Sequence, residues 1–303
     1  MPQRLALGLD AGGTETHLLA ERDAGAGRME RRGPAANLQR AGTDAVVSTL
    51  EALVRDALRE RRPVGRIAVC AGVAGAGRVD EQEEVQGRLQ AALADAAEEV
   101  RVAVTHDAAI ALEAAFGKGS GLVVIAGTGS VVFGRGRGGT TQRAGGWGHR
   151  LGDAGSGHAV GRAGLRAVAA ALDGGSRTAL QARVQERYDI GTRAELLRWV
   201  YREETALADV APLVGGAAAA GDAVAEEILV SQTAALARQA AWVVDAVGGP
   251  APRTAVLGGM LRSEPYAQAL RQALRAQMPT ASVERLQQAP VAGALRRAHQ
   301  MQA

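Results

Sequence analysis

Cysteine is almost missing from this sequence: Cys70 is the only one in 303 residues. A single thiol cannot build an internal disulfide framework, nor by itself a structural zinc or iron–sulfur site within one chain. Cys70 is expected to be a small buried apolar residue. Aromatic residues make up 3% of the chain, too few to suggest the stacking platforms of single-strand nucleic-acid binders. An excess of charge is lacking too, because 35 Lys+Arg face 32 Asp+Glu for a net +3, and no nucleic-acid partner is indicated. No run approaches the roughly 18–20 apolar residues of a membrane span. The start, Met1-Pro2-Gln3-Arg4, leads into a strand-like segment rather than a signal peptide. The expectation is a soluble, cytoplasmic protein.

What the sequence does hold is enough hydrophobic residue, 47%, to core two modest domains. Leu5 to Asp10 reads as a strand, Gly12-Gly13 as a turn and Thr16 to Glu21 as a returning strand, with a third near Arg28 to Arg32. Val46, Val47, Leu50, Leu53, Val54 and Leu58 have helical spacing within Thr43 to Arg61, and the helix is expected to stop at Pro63. Ile67 to Ala71 and Val100 to Val104 read as strands, with helices over Glu81 to Ala97 and Asp107 to Phe116. The order then begins again. Leu122 to Ala126 and Val131 to Gly134 are strands around Gly127-Thr128-Gly129-Ser130, and Thr140 to Gly145 is a third. From Ala154 to about Gly248 the pattern is helical, with breaks near Gly174-Gly175, Gly191, Gly215-Gly216 and Gly221. Strand Thr254 to Leu257, a Gly258-Gly259 turn, a helix over Pro265 to Gln277, a strand near Ser282 to Glu284 and a last helix from Pro290 complete the chain. A tight glycine hinge is expected near 117–121.

Two segments share a chemistry. In Asp10-Ala11-Gly12-Gly13-Thr14 a carboxylate ends a strand and a turn without side chains follows. Bare glycine backbone can approach phosphate oxygens, Thr14 adds a hydroxyl, and Asp10 can hold hydrated Mg²⁺. No lysine follows and the chain returns as a strand, so this is not a Walker loop. Gly127-Thr128-Gly129-Ser130 is a second loop of the same kind, and two such loops on facing lobes could hold the phosphates of ATP.

Asp107 stands at a strand-to-helix junction, where it is either an acceptor for a substrate hydroxyl proton or a helix N-cap. The glycine-dense run Gly145 to Gly157 either wraps a polar ligand, with Asp153 accepting hydroxyl hydrogen bonds, or is a structural loop in which Asp153 caps the next helix. His149 and His158 lack metal-ligand spacing. The Gly258-Gly259 turn suits packing against an adenine ring.

Taken in order, these motifs resemble the N-acetylglucosamine kinase and BadF/BadG/BcrA/BcrD-type ATPase family of the actin/hexokinase superfamily. The most specific match is G-G-W-G-H-x-x-G-D-x-G-S at residues 145–156. The resemblance implies an α/β fold of two ribonuclease H-like lobes with mixed sheets around a central cleft and a helical insertion in the second. The lobes would be 1–117, with helix 290–303 packing back on it, and 118–289. It implies an ATP- and Mg²⁺-dependent transfer of the γ-phosphate to the 6-hydroxyl of an amino sugar, N-acetylglucosamine foremost. Glucosamine, N-acetylmuramic acid or glucose are the other acceptors, and an ATPase that activates a partner enzyme is the other activity.

By the same resemblance Asp107 is the base, and Asp10 carries Mg²⁺ through water. Gly12, Gly13, Thr14, Gly127, Thr128, Gly129 and Ser130 meet phosphate, and Gly258 and Gly259 meet adenosine. Asn37, Gly146 and Asp153 meet the sugar, and a homodimer is implied. Two departures stand out. Val131 replaces an asparagine that helps hold the sugar in vertebrate-type members, and the cluster-bridging members of the family need two cysteines per subunit.

Overall fold

In a computed structural model, which describes residues 4–22, 27–60, 65–202, 207–248 and 253–302, the described chain forms two units, 1–119 with 286–303, and 120–285. The expected helix stop at Pro63 and the chain start Met1 to Gln3 lie outside the described residues.

The first unit begins with β1 (Arg4–Ala11), β2 (Glu15–Arg22) and β3 (Met29–Pro34), an antiparallel meander. Helix α1 (Leu38–Arg59) leads to β4 (Arg66–Val73), α2 (Val79–Ala92) to β5 (Glu99–His106), and α3 (Asp107–Phe116) follows. β4 lies parallel beside β1 and β5 parallel beside β4, giving the order β3-β2-β1-β4-β5. β1 and β4 are buried along almost their whole length, as central strands covered on both faces must be. One face packs on α1 and α2 through Leu7, Leu9, Leu50, Val54 and Leu89. The other is covered by α10 (Pro290–Gln300), whose Val291, Ala294, Leu295 and Ala298 meet Ala6, Leu19, Ala68, Cys70 and Ile110. That packing is close because Gly8 and Gly293 carry no side chain. A Cβ on Gly8 would lie 2.2 Å from the Leu295 nitrogen, and one on Gly293 would lie 2.0 Å from the Ile110 carbonyl on α3.

The second unit repeats the plan. β6 (Gly121–Ala126), β7 (Ser130–Arg135) and β8 (Thr141–Gly145) form an antiparallel meander, and β9 (Thr254–Leu257) and β10 (Val283–Arg285) add in parallel, giving β10-β9-β6-β7-β8. Read from the hairpin side, the two sheets have the same strand order. Between β8 and β9 run α4 (Gly157–Leu172), α5 (Leu180–Tyr188), α6 (Arg193–Arg202), α7 (Ala211–Ala219) and α8 (Ala223–Val247), and α9 (Glu264–Gln277) joins β9 to β10. The resulting α/β fold with an inserted helical stretch is the one the motif resemblance implied.

Three local expectations need correction. Gly215-Gly216 does not break the helix but lies inside α7, where a Cβ on Gly215 would stand 2.5 Å from Ser263 Oγ; glycine there allows close packing. α2 ends at Ala92 rather than Ala97, since Leu93, its fully buried C-cap, closes the apolar face and the chain must turn to enter β5. α1 begins at Leu38 rather than Thr43, but Gly42 has φ 77°, so the continuous helix starts where the apolar spacing does.

Candidate active site

In the first unit the polar residues collect at the carboxyl ends of the parallel strands, where ligands bind in open α/β sheets. Asp10, next to last in β1, pairs with His17 on β2 and Gly72 on β4, and Gly72 pairs with Thr105 on β5. Asp107 follows two residues later. The tip Gly12-Gly13-Thr14 is open to solvent and is closed by the Gly12 N–H donating to the Glu15 carbonyl at 3.0 Å.

Neighbouring segments are stitched to this tip. The Ala36 N–H donates to the Gly12 carbonyl (3.0 Å), the Ala74 N–H to the Ala11 carbonyl (2.9 Å) and the Leu38 N–H to the Ala74 carbonyl (2.9 Å). Asn37 is thereby fixed beside the strand ends. Its Oδ1 caps α1 by accepting from the Gln39 N–H at 3.1 Å, a bond that does not involve its amide donors. The loop after β4 is a part of the site that sequence reasoning missed: Gly75, at φ 85°, passes so close that a Cβ would lie 3.0 Å from Asn37 Oδ1. Its signal was the run Gly72-Val73-Ala74-Gly75-Ala76-Gly77 directly after a strand.

Asp107 is not the cap of α3. The N-cap of α3 is His106, whose Nδ1 accepts from the Ala109 N–H at 3.2 Å, while Asp107 is the first helical residue and its Oδ1 accepts from the Ala108 N–H at 2.8 Å. Asp10 and Asp107 also act on each other. Burial pushes the Asp10 carboxyl up to about 7, helped next by the negative charge of Asp107 and then of Glu15. A cation arriving here would relieve both the burial and the repulsion. Among the described residues no group of three or more His, Cys, Asp or Glu could hold a metal ion by itself. The lone Asp10 beside an open phosphate-sized loop fits Mg²⁺, which is commonly held by one or two carboxylates together with substrate phosphates.

In the second unit the loop between β6 and β7 docks on the start of α4. The Gly157 N–H donates to the Gly127 carbonyl (2.8 Å) and the His158 N–H to the Thr128 carbonyl (3.2 Å). Ser156 caps the same helix through Oγ, which accepts from the Ala159 N–H at 3.1 Å. The loop thus satisfies α4 with its carbonyls. Its Gly127 N–H is used internally, to the Gly129 carbonyl at 2.9 Å. Ser130 is buried, and its hydroxyl donates to the Ala154 carbonyl at 2.8 Å, so it holds the loop from behind.

Gly146, at φ 69°, donates its N–H to the Ser130 carbonyl (3.0 Å) and lies against Val131, whose Cγ2 is 3.2 Å from where a Cβ would be. Asp153 is only 6% exposed, and its carboxylate accepts backbone N–H groups of Ser130 and Gly148. Burial raises its pKa, against the lowering pull of those bonds and of His149. It does not cap α4, a role Ser156 takes. After β9, Gly258 at φ 116° comes so near β6 that a Cβ would sit 2.2 Å from the Ala126 carbonyl, placing the Gly258-Gly259 turn beside the Gly127 loop. Fully buried Tyr266 supports the region by donating its hydroxyl to the Gly155 carbonyl. The structure therefore gathers Asp10, Gly12, Gly13, Thr14, Asn37 and Asp107 at one sheet end of the first unit. It gathers Gly127, Thr128, Gly129, Ser130, Gly146, Asp153, Gly258 and Gly259 at one sheet end of the second.

Comparison with known proteins gives this arrangement a context. The model of the BadF/BadG/BcrA/BcrD ATPase family matches residues 7–295. An N-acetylmuramic acid/N-acetylglucosamine kinase of Clostridium acetobutylicum is 29% identical over 75% of this chain and 74% of its own, and an N-acetyl-D-glucosamine kinase of Dictyostelium discoideum is 29% identical over 78% of each. Among solved structures, a candidate N-acetylglucosamine kinase from Chromobacterium violaceum superposes with TM-score 0.75 at 26% identity, covering 98% of this chain and 99% of its own. A ROK family glucokinase from Streptomyces griseus, solved with glucose and AMPPNP, superposes with TM-score 0.61 at 18% identity, over 99% and 100% of the two chains, and shares the fold.

Proposed function

Because this chain belongs to the BadF/BadG/BcrA/BcrD ATPase family, we propose that it is an ATP-dependent sugar kinase, a phosphotransferase that moves the γ-phosphate of Mg-ATP to the 6-hydroxyl of an amino sugar, with N-acetylglucosamine the leading acceptor. The single observation that carries the reading is the doubled sheet end: each unit closes its central hairpin with a Gly-Thr loop, and the first adds the carboxylates Asp10 and Asp107. Phosphoryl transfer asks little covalent chemistry of a protein beyond positioning, charge neutralisation and a proton acceptor.

In this reading the Asp107 carboxylate takes the proton of the attacking hydroxyl. The sugar hydroxyl oxygen then bonds to the γ-phosphorus while the bond from that phosphorus to the ADP oxygen breaks. Thr14, Gly12, Gly13 and the loop Gly127-Thr128-Gly129-Ser130 bind phosphate oxygens, and Gly258 and Gly259 lie along the adenosine. Asp10 would hold Mg²⁺, which supplies charge neutralisation on the phosphates. Asn37, Gly146 and Asp153 receive the sugar. Val131, packed on Gly146, bears on which sugar fits. The relatives named for N-acetylglucosamine and N-acetylmuramic acid kinases support this substrate class. We place the enzyme in the cytoplasm; among the described residues no helix is long and apolar enough to cross a membrane. The assembly to test by light scattering is a dimer.

A partner-activating ATPase is disfavoured by Cys70, which is buried with its thiol pushed up to about 11, chiefly by that burial, and so is unsuited to bridging a cluster at a subunit surface. A coupled ADP-release assay with N-acetylglucosamine, glucosamine, N-acetylmuramic acid and glucose should show sugar-stimulated turnover. Asp107→Asn should cut kcat by roughly 10²–10⁴-fold while nucleotide binding persists. Hydrolysis indifferent to every sugar would overturn the kinase reading.

A further inference from the structure

We propose that Asp153 is a positioning residue for the second phosphate loop, a clasp whose carboxylate fixes the backbone of Gly129-Ser130 to the glycine-dense segment that begins at Gly145. This rests on reading 127–130 as a nucleotide-phosphate loop and goes beyond any contact Asp153 makes with sugar.

Three observations carry it. Asp153 is held at φ 64°, one of two non-glycine residues with positive φ among those described, the other being Asp189. A left-handed aspartate costs conformational energy and persists only where surrounding contacts over-determine it. The carboxylate is almost wholly buried, and the two backbone donors it accepts come from the two segments it joins, Ser130 in the loop and Gly148 in the glycine-dense run. Finally, Gly129 leaves room for it: a Cβ there would lie 2.9 Å from Asp153 Oδ2.

The seam is completed by Ser130, whose hydroxyl donates to the Ala154 carbonyl at 2.8 Å and whose carbonyl accepts from the Gly146 N–H at 3.0 Å. An ionised carboxylate accepts only, which suits two converging N–H groups; an amide in its place would turn a donor toward one of them. A carboxylate offers about four lone-pair sites, so two backbone bonds leave capacity for a sugar hydroxyl, and one side chain can serve both ligands.

The test is binding, measured separately for each ligand on the full chain. Asp153→Asn keeps the size and the tolerance of left-handed backbone while spoiling one of the two bonds. Its affinity for Mg-AMPPNP, measured by calorimetry without sugar, should fall at least tenfold. Asp153→Gly, which adopts φ 64° without strain, covers the case in which the amide variant fails to fold and should show the same loss. A nucleotide affinity within twofold of the parent in a folded variant, with only sugar affinity reduced, would overturn the proposal. Failure of the parent protein itself to bind Mg-AMPPNP would instead bring down the reading of 127–130 on which it rests.

Discussion

Asp10 sits where charge is costly. Burial beside Asp107 and Glu15 raises its carboxyl from 3.8 to about 7, so the folded protein holds that proton more tightly than the unfolded chain does. The stability linked to it is fully present below pH 4 and is lost as pH rises through about 7. In the metal-free, nucleotide-free protein, Asp10→Asn should therefore raise Tm at pH 8 by several degrees, at roughly 2–4 °C per kcal/mol, and leave it unchanged near pH 4. Equal melting shifts at both pH values would show that the cost of Asp10 is not electrostatic. The same residue that destabilises the empty protein suits a cation brought in with phosphate, as functional residues often do.

Single elements carry much of the precision. α10 approaches β1 and α3 through Gly8 and Gly293, where added methyl groups would meet backbone atoms rather than movable side chains. Gly8→Ala is expected to cost roughly 2–4 kcal/mol, more than ordinary overpacking, because no rotamer change relieves it. Thermal melts should show a fall of about 5–10 °C; a shift under one degree would mean that α10 is free to move aside. Alternation and glycine punctuation made the ten strands of the described residues legible in sequence, and the loops at Gly12 and Gly127 with them, since a strand, a bare turn and a returning strand leave a local pattern. What was not legible depends on distant neighbours. Gly215 reads as a helix breaker until Ser263 is seen against it, and Leu93 ends α2 for tertiary reasons that Ala94 to Ala97 do not announce. Asp107 reads from sequence as a possible helix cap, and only the structure shows that His106 is the cap; Gly75 lies beside Asn37 only because β4 delivers it there.

Taken as a whole, the molecule is one plan used twice with different additions. Both sheets run hairpin, hairpin, then two parallel strands, but only the second holds a long helical insertion, and only the first is completed by a helix from the far end of the chain. The buried cluster of Ala6, Leu19, Ala68, Cys70 and Ile110 has α10 as its other half. A chain ending at residue 289 would leave that face bare, losing about 1.5–3 kcal/mol for each large side chain such as Val291 or Leu295 no longer buried there. Such a truncation is expected to express insolubly or to bind a hydrophobic dye strongly. A soluble product with full nucleotide affinity would contradict it.

That far-end helix also sets a timetable. On the ribosome, residues 1–119 emerge with half of one core missing, and 120–285 must be made before the missing piece appears. At about 5–20 residues per second the wait is on the order of ten to thirty seconds. During it the apolar face that α10 covers is unfinished, and any chain that stops short of α10 carries no completed first unit. Synthesis of α10 thus finishes the first unit, since the sheet end bearing Asp10 and Asp107 is seated on its completed core only once residues 290–300 have been made.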